Sequence, residues 1–113
     1  MSRGKTSILV VFVTCPSVAV GRRLARALLA RRLAACVNVL PGVESHFRWK
    51  GRVDRAREVL LVIKTTRSAF ARLRRAVAEL HPYDVPEILA LPVLAGHRPY
   101  LDWIASSLSG DSH

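Results

Sequence analysis

The chain has 113 residues, half of them hydrophobic, and a formal net charge of +10 that comes mostly from fifteen Arg against three Lys. This length and composition predict that residues 1–113 fold as a single domain with its own core, and they exclude an intrinsically disordered chain. The apolar runs are too short to cross a bilayer and no signal peptide is visible, so we expect a cytoplasmic protein without a membrane partner.

The first predicted element is a central strand, Ile8–Thr14, which is dense in β-branched and aromatic residues. A proline ends it, and Ser17 is a suitable N-cap for a helix over Val18–Ala34 with an apolar face and an Arg-rich face. Cys15 and Cys36 each lie singly beside an apolar strand. We therefore interpret both as free, buried residues rather than as a disulfide framework.

A long β-hairpin over Val37–Thr66 is the dominant feature of the sequence. Its first arm, Cys36–Lys50, alternates apolar and polar residues, and Pro41-Gly42 predicts a bulge or bend within it. A basic, polar connection leads to Val59–Ile63, a continuous apolar run typical of a strand buried on both faces. Most strands contain about five or six residues, so this hairpin would overhang a small domain. Its free edge predicts pairing with another chain.

The remaining segments complete a two-layer domain. Ser68 is predicted to cap a helix over Ala69–His81, and a loop with two prolines leads to a strand over Glu87–Leu94, where Pro92 favours an edge position. A short helix follows over Tyr100–Leu108. The order strand, helix, strand, strand, helix, strand predicts an α+β, ferredoxin-like βαββαβ sandwich with a long β2–β3 hairpin and a short C-terminal helix.

The excess of Arg raises the possibility of nucleic-acid binding. However, the Arg residues are spread over both predicted helices and the hairpin connection, and no helix-turn-helix, zinc finger or RNA-binding aromatic motif accompanies them. We therefore expect no specific nucleic-acid partner. Any binding of DNA or RNA should be independent of sequence and should weaken steeply with salt.

Short motifs are spread along nearly the whole chain, from about Val10 to Leu108. They are Ala34-Ala35-Cys36-Val37-Asn38, Pro41-Gly42, Trp49-x-Gly51, Glu58, Lys64-Thr65, His81-Pro82-Tyr83, Pro86-Glu87, Pro92 and Tyr100-Leu101-x-Trp103. In residue type, order and spacing, this set resembles the CutA divalent-cation-tolerance proteins.

The resemblance implies the same ferredoxin-like fold and tight PII-like homotrimers, in which long strands of neighbouring subunits pair. It also implies a role in tolerance of copper and other divalent cations, without an obligatory cofactor. Some members bind copper through Cys, His and Glu, which indicates Cys15, Glu58 and His81 as metal ligands here. The strand-one cysteine of some bacterial members falls at Val13, and Cys15 lies two positions on, on the same strand face.

A second set of residues has two interpretations. Trp49, Tyr83, Tyr100 and Trp103 suit either a buried trimer interface or a pocket, because each combines an apolar body with a polar group. In the pocket interpretation, a small anionic ligand binds beside Lys64 in a cleft between subunits. That interpretation rests on the structural resemblance of the family to the PII signalling trimers.

An enzyme is the function class that the sequence supports least. No phosphate-binding loop, Gly-x-Ser-x-Gly elbow or His-Glu-x-x-His motif occurs. Asp84 and Glu87 lie close in sequence, but in a proline-rich loop we interpret them as turn-forming and capping residues. We therefore expect no catalytic residues.

Overall fold

The computed structural model describes residues 6–109, which form one four-stranded antiparallel sheet and three helices. The elements are, in chain order, β1 (Ile8–Cys15), α1 (Val18–Ala30), β2 (Cys36–Trp49), β3 (Arg52–Thr66), α2 (Arg67–Leu80), β4 (Leu89–Pro92) and α3 (Arg98–Leu108). The strand order in the sheet is β2-β3-β1-β4, so the predicted α+β, βαββαβ arrangement is confirmed. No helix in this range is long and apolar enough to span a membrane.

The main core lies between one face of the sheet and the helices α1 and α2. Every second residue of β1 and β3 contributes to it, because strand side chains alternate between the two faces. Its fully buried aliphatic side chains include Val11, Val13, Leu24, Leu28, Leu61, Ile63, Leu73 and Val77. Burial of each such side chain stabilises the fold by about 1.5–3 kcal/mol. A slip of one residue in the pairing would move these side chains to the other face of the sheet, so their burial fixes the register of the strands.

Helix α1 ends at Ala30, four residues earlier than predicted. Arg32 has a φ of +54°, its N–H donates to the Leu29 carbonyl, and the Leu33 N–H donates to the Leu28 carbonyl. These bonds form a Schellman motif, in which a left-handed residue ends the helix. Leu33 is buried just beyond the helix, which explains why it does not follow the helical pattern of apolar residues.

The hairpin of β2 and β3 is longer in its second arm than the sequence pattern indicates, because β3 begins at Arg52. The predicted basic connection is therefore part of a strand, and Lys50 and Gly51 alone form the turn. Both residues have positive φ, which is typical of the type I′ turns that form the two-residue loops of β-hairpins. The predicted bulge is confirmed, since the register shifts beyond Leu40 and Gly42 has a φ of +84°.

Three further boundaries differ from the prediction. The N-cap of α2 is Thr66 rather than Ser68, because the Thr66 hydroxyl accepts the hydrogen bond from the Ala69 N–H. Strand β4 contains only the four residues Leu89–Pro92, and it lies at the predicted edge of the sheet. Helix α3 begins two residues early, at Arg98, with a proline in its first turn.

The face of the sheet that lies opposite the main core is only partly covered. Helix α3 packs over one end of it, where Ile8, Leu101 and Ile104 form a small buried cluster. Leu60 and Val62 of β3 are half-buried on this face. Within residues 6–109, the predicted burial of β3 on both faces is therefore only partly achieved, because α3 covers one end of this face.

Candidate functional site

A cleft of about 690 Å³ opens between the hairpin and the loop that follows α2. Its hairpin side is lined by Ser45, His46, Phe47, Trp49, Ala56 and Glu58. Its other side is lined by Thr14 from β1 and by Tyr83, Asp84, Val85 and Glu87 from the loop. This volume lies within the range of pockets that bind small molecules.

The bulge in β2 decides which hairpin side chains face the cleft. Before the bulge Leu40 pairs with Leu60, and after it Val43 pairs with Glu58, so β2 contains one extra residue. The extra residue shifts the alternation of side chains, and Phe47 therefore lies on the same face as Glu58. Without the shift, Phe47 would point to the face of the main core.

A chain of hydrogen bonds connects the cleft to the end of β1. The Tyr83 hydroxyl donates to Oε2 of Glu58 at 2.8 Å, and the Tyr83 N–H donates to Nδ1 of His81 at 3.1 Å. Nε2 of the buried His81 lies 2.7 Å from the Thr14 carbonyl oxygen. Because Nδ1 accepts from a backbone N–H, the ring proton lies on Nε2 and is donated to Thr14. Both nitrogens of the imidazole are thus occupied.

Burial determines the protonation of two side chains beside Glu58. Cys15 is fully buried, and this burial, together with the nearby Glu58 carboxylate, raises the pKa of its thiol from 9.0 to about 11. Burial also raises the pKa of the Tyr83 hydroxyl from 10.0 to about 12, and the hydrogen bond to Glu58 adds to this rise. At neutral pH Tyr83 is therefore a hydrogen-bond donor and Cys15 is a thiol rather than a thiolate.

The three predicted metal ligands gather at one end of β1, but they do not fit a preformed metal centre. Copper binds thiolate sulfur or a free imidazole nitrogen. The Cys15 thiol is protonated, His81 uses both of its nitrogens, and Glu58 accepts from Tyr83. Within residues 6–109, no group of three or more His, Cys, Asp or Glu side chains is arranged to hold a metal ion.

The second predicted set is divided among separate places in this chain. Trp49 and Tyr83 line the cleft. The Lys64 ammonium instead donates to Oδ1 of Asn38 on β2, across the β2–β3 pair. Tyr100 and Trp103 stack on each other on α3, with ring centroids 5.6 Å apart, and they are 42% and 46% exposed. Only two of the five residues therefore share a pocket within one chain.

Besides Trp49, Glu58 and Tyr83, eight described residues line the cleft, and the four of them with acidic, imidazole or aromatic side chains were not predicted as site residues. His46 and Phe47 belong to the predicted alternation of β2, which does not indicate what each face will meet. Asp84 and Glu87 line the cleft in addition to lying in a loop. Their charge is the feature that could have indicated them, because the chain has only eight acidic residues and these two follow the His81-Pro82-Tyr83 motif closely.

The charge of the cleft is opposite to that of the chain. Among residues 6–109, the Asp and Glu residues that line it are Glu58, Asp84 and Glu87, and no Lys or Arg of this range does so, although the chain has 18 Lys and Arg. Glu58 is only 9% exposed and forms no ion pair with any residue of the described range. The cleft therefore presents negative charge beside aromatic rings.

Comparison with known proteins assigns the chain to a family. Residues 9–107 match the family model described as CutA1 divalent ion tolerance protein. The chain belongs to the CutA family. The resemblance of its motifs to this family is thereby confirmed.

Individual relatives agree with this assignment. The divalent-cation tolerance protein CutA of Thermus thermophilus is 54% identical over 95 residues, which are 84% of this chain and 92% of that protein. Protein CutA of Mus musculus is 46% identical over 87% of this chain, which spans only 55% of the mouse protein's length. The crystal structure of CutA from Xylella fastidiosa has a TM-score of 0.90 at 36% identity, covering 92% of this chain and 100% of that one.

Proposed function

We propose that this protein contributes to the tolerance of divalent cations as a homotrimer that binds copper or another divalent metal ion weakly. Membership of the CutA family supports the role in tolerance. The proposal includes no catalysis and no obligatory cofactor, because the names of the family and its relatives describe tolerance rather than a reaction. It also includes a cytoplasmic location, which fractionation of cells that make the protein would test.

The outer half of the hairpin is the observation that carries the proposed assembly. β1 pairs with β3 only from Thr66 to Val59, so beyond that point β2 and β3 form a two-stranded ribbon within the described chain. An isolated two-stranded hairpin is at best marginally stable in water. Phe47, Trp49 and Val53 on this ribbon are 39%, 51% and 70% exposed. Neighbouring subunits that pair with the ribbon and cover these side chains would stabilise it.

The open face of the sheet supports the same assembly. The register of β4 places Leu89 beside Phe12 and Leu91 beside Val10, on the face that also carries Leu60. Leu89 and Leu91 are 57% and 43% exposed, and the other three side chains are half-buried. A contiguous apolar surface of this kind is typical of a protein–protein interface. Three copies is the number that the resemblance to the family predicts.

Metal binding is proposed as weak because the donors that fit it best are exposed. Nε2 of His46 lies 2.6 Å from Oε2 of Glu44, and the two side chains are 57% and 64% exposed. Nδ1 of His46 forms no hydrogen bond with the described residues and is free to bind a metal ion. Cu²⁺ has the highest affinity of the first-row divalent ions for such nitrogen and oxygen ligands. A single imidazole with carboxylates does not form a closed site.

The alternative prediction is a PII-like signalling trimer that binds a small anionic ligand between subunits. It requires a positive charge, which none of the described residues that line the cleft of one chain carries, and Lys64 would have to supply that charge from outside this cleft. The acidic lining is the reason why we place tolerance of metal ions ahead of this alternative.

A growth assay tests the proposed function. The chain is produced in a bacterial strain that lacks its own CutA protein, and growth is measured over increasing concentrations of Cu²⁺ and Zn²⁺. We expect growth at higher metal concentrations than with an empty vector. The double variant Leu89→Lys/Leu91→Lys, which is designed to prevent assembly, should lose this gain. If cells that produce the protein in full amount tolerate no more Cu²⁺ or Zn²⁺ than cells with the empty vector, the proposal is contradicted.

A further inference from the structure

We propose that the outer face of helices α1 and α2 binds the phosphate backbone of double-stranded nucleic acid, independently of its sequence. This basic face is defined by six arginines: Arg22, Arg23 and Arg26 of α1, and Arg72, Arg74 and Arg75 of α2. It lies on the side of the sheet opposite to the face that the proposed assembly covers, so assembly leaves it accessible. The proposal goes beyond the tolerance of metal ions and uses none of the residues assigned to metal binding or to assembly.

The first observation behind this proposal is that the fold gathers arginines that are spread along the sequence. Both helices pack on the main-core face of the sheet, where Leu24, Leu28, Leu73 and Val77 are fully buried. Because a helix has 3.6 residues per turn, the arginines of the basic face lie on the other side of each helix, and all six are exposed. The two helices contain seven Arg, no Lys and a single acidic residue, Glu79. The helical layer is therefore strongly positive.

The second observation is that the described chain does not neutralise this charge. None of the six arginines forms an ion pair or a hydrogen bond with a residue of the range 6–109. Arg22 and Arg26 are four positions apart on α1, a spacing at which two like charges destabilise a helix. The arrangement therefore does not stabilise the fold by itself, and an anion from outside the chain would relieve the repulsion.

The type of residue and the size of the surface indicate a phosphate backbone as that anion. The guanidinium group of Arg is planar and always charged, and it donates paired hydrogen bonds to phosphate oxygens. The helices contain 13 and 14 residues, so each is about 20 Å long, which corresponds to about six base-pair steps of a duplex. Because α1 and α2 contact each other, their arginines form one broad surface rather than two separate stripes.

The apolar side chains of the two helices distinguish a duplex from other polyanions. Among the described residues of α1 and α2, Leu29 is the only large hydrophobic side chain that is exposed, whereas a helix that binds an anionic membrane inserts several Trp, Phe or Leu side chains. Single-stranded nucleic acid stacks its bases on aromatic rings. Phe70 is the only aromatic residue of the two helices, and it is half-buried against the main core. The basic face therefore suits a partner that is recognised through its backbone charge alone.

Fluorescence anisotropy of a labelled DNA duplex of about 20 base pairs measures binding by the full chain. EDTA is present throughout, so metal ions make no contribution. We expect saturable binding at low salt, with affinities for two unrelated sequences that agree within about twofold. The slope of log affinity against log salt concentration should be about −5, because up to six phosphates are contacted. A single strand of the same length should bind at least about threefold more weakly, since its charge density is lower.

Matched charge variants locate the binding surface. Arg26→Gln/Arg72→Gln removes one exposed charge from each helix, and we expect it to weaken duplex binding at least about fivefold and to reduce the salt slope by about 2. Arg52→Gln/Arg98→Gln removes the same charge at exposed positions of the hairpin and of α3, and should change the affinity by less than about twofold. Size-exclusion chromatography and circular dichroism check that both variants keep the size and the fold of the parent.

Four results would overturn the proposal. Three of them are no saturable binding of the duplex at low salt, equal losses in the two variants, and a single strand that binds as tightly as the duplex. The fourth is displacement of the duplex by vesicles of phosphatidylcholine and phosphatidylserine at equal phosphate concentration, which would identify a membrane surface as the partner. Because EDTA removes metal ions, a failure of this inference is distinguishable from a failure of the proposed metal tolerance in the growth assay.

Discussion

The Tyr83 hydroxyl donates a hydrogen bond of 2.8 Å to the buried carboxylate of Glu58, and this bond joins the loop after α2 to strand β3. The backbone N–H of Tyr83 donates to His81, whose ring in turn donates to Thr14 on β1. The His-Pro-Tyr motif thus shapes the cleft and also attaches the loop to two strands. Its residues contribute to stability as well as to the candidate site.

Tyr83→Phe should therefore destabilise the protein. The variant keeps the ring but leaves the Glu58 carboxylate without its donor, and loss of a hydrogen bond to a buried charged group costs about 1–3 kcal/mol. Urea unfolding at one fixed protein concentration measures the change, since assembly makes stability depend on concentration. Tyr100→Phe is the control, because the Tyr100 hydroxyl forms no hydrogen bond with the described residues. Equal stabilities of the two variants would contradict the role assigned to Tyr83.

The stability of the protein should fall at alkaline pH because of Cys15. Its pKa is about 11 in the folded protein against an ordinary 9.0, so its contribution is complete below pH 9.0 and is lost as the pH rises towards 11. The shift corresponds to about 2–3 kcal/mol. Urea unfolding across this pH range should show a decline that is reduced in Cys15→Ala and retained in Cys36→Ala. A stability of Cys15→Ala that falls as steeply as that of the parent would exclude the thiol as the cause.

The order of the elements could be predicted because it depends on local periodicity and on turn residues. The end of α1 could not be predicted, since Arg32 adopts a left-handed conformation that is rare for Arg. The first half of β3 could not be predicted either, because the sequence of Arg52–Arg57 has little strand propensity of its own. Hydrogen bonding to β2 imposes the extended conformation there.

The cleft depends on relations that no single stretch of sequence contains. Phe47 and Glu58 share a face only because one extra residue at the bulge shifts the alternation of β2. Tyr83 meets Glu58 only because His81 holds the loop against β1. The motifs could indicate that these residues matter, but their contacts follow from the tertiary fold.

The hairpin turn offers a change that should stabilise the protein. Lys50 has a φ of +51° and precedes Gly51 with a φ of +79°. Asn tolerates positive φ better than Lys, and Asn-Gly is the favoured pair in type I′ turns. Lys50→Asn should raise the free energy of unfolding by about 0.5–1 kcal/mol, whereas Gly51→Ala should lower it by about 1–2 kcal/mol. Thermal unfolding of both variants at one protein concentration tests these opposite signs, and a destabilised Lys50→Asn would be inconsistent with a type I′ turn.

Copper affinity should depend on His46 rather than on Cys15. Calorimetric titration should show a change of less than about twofold in Cys15→Ser, because the buried thiol is not a ligand, and a clear loss in His46→Gln. His81→Gln should retain the affinity of the parent, since both ring nitrogens of His81 are already occupied. Far-UV circular dichroism controls for the cost of a buried hydroxyl in Cys15→Ser. A large loss of affinity in a folded Cys15→Ser protein would instead identify a thiolate ligand.

Sedimentation equilibrium tests most directly whether the open sheet face and the hairpin form a homotrimer. The protein should have about three times the 12.5 kDa mass of one chain. Leu89→Lys/Leu91→Lys should shift it towards the mass of a single chain, because charges would be buried on the apolar face. Leu29→Lys, at a position on α1 that is 43% exposed like Leu91, should leave the trimer intact. A parent protein that sediments as a stable 12.5 kDa monomer would contradict the proposed assembly.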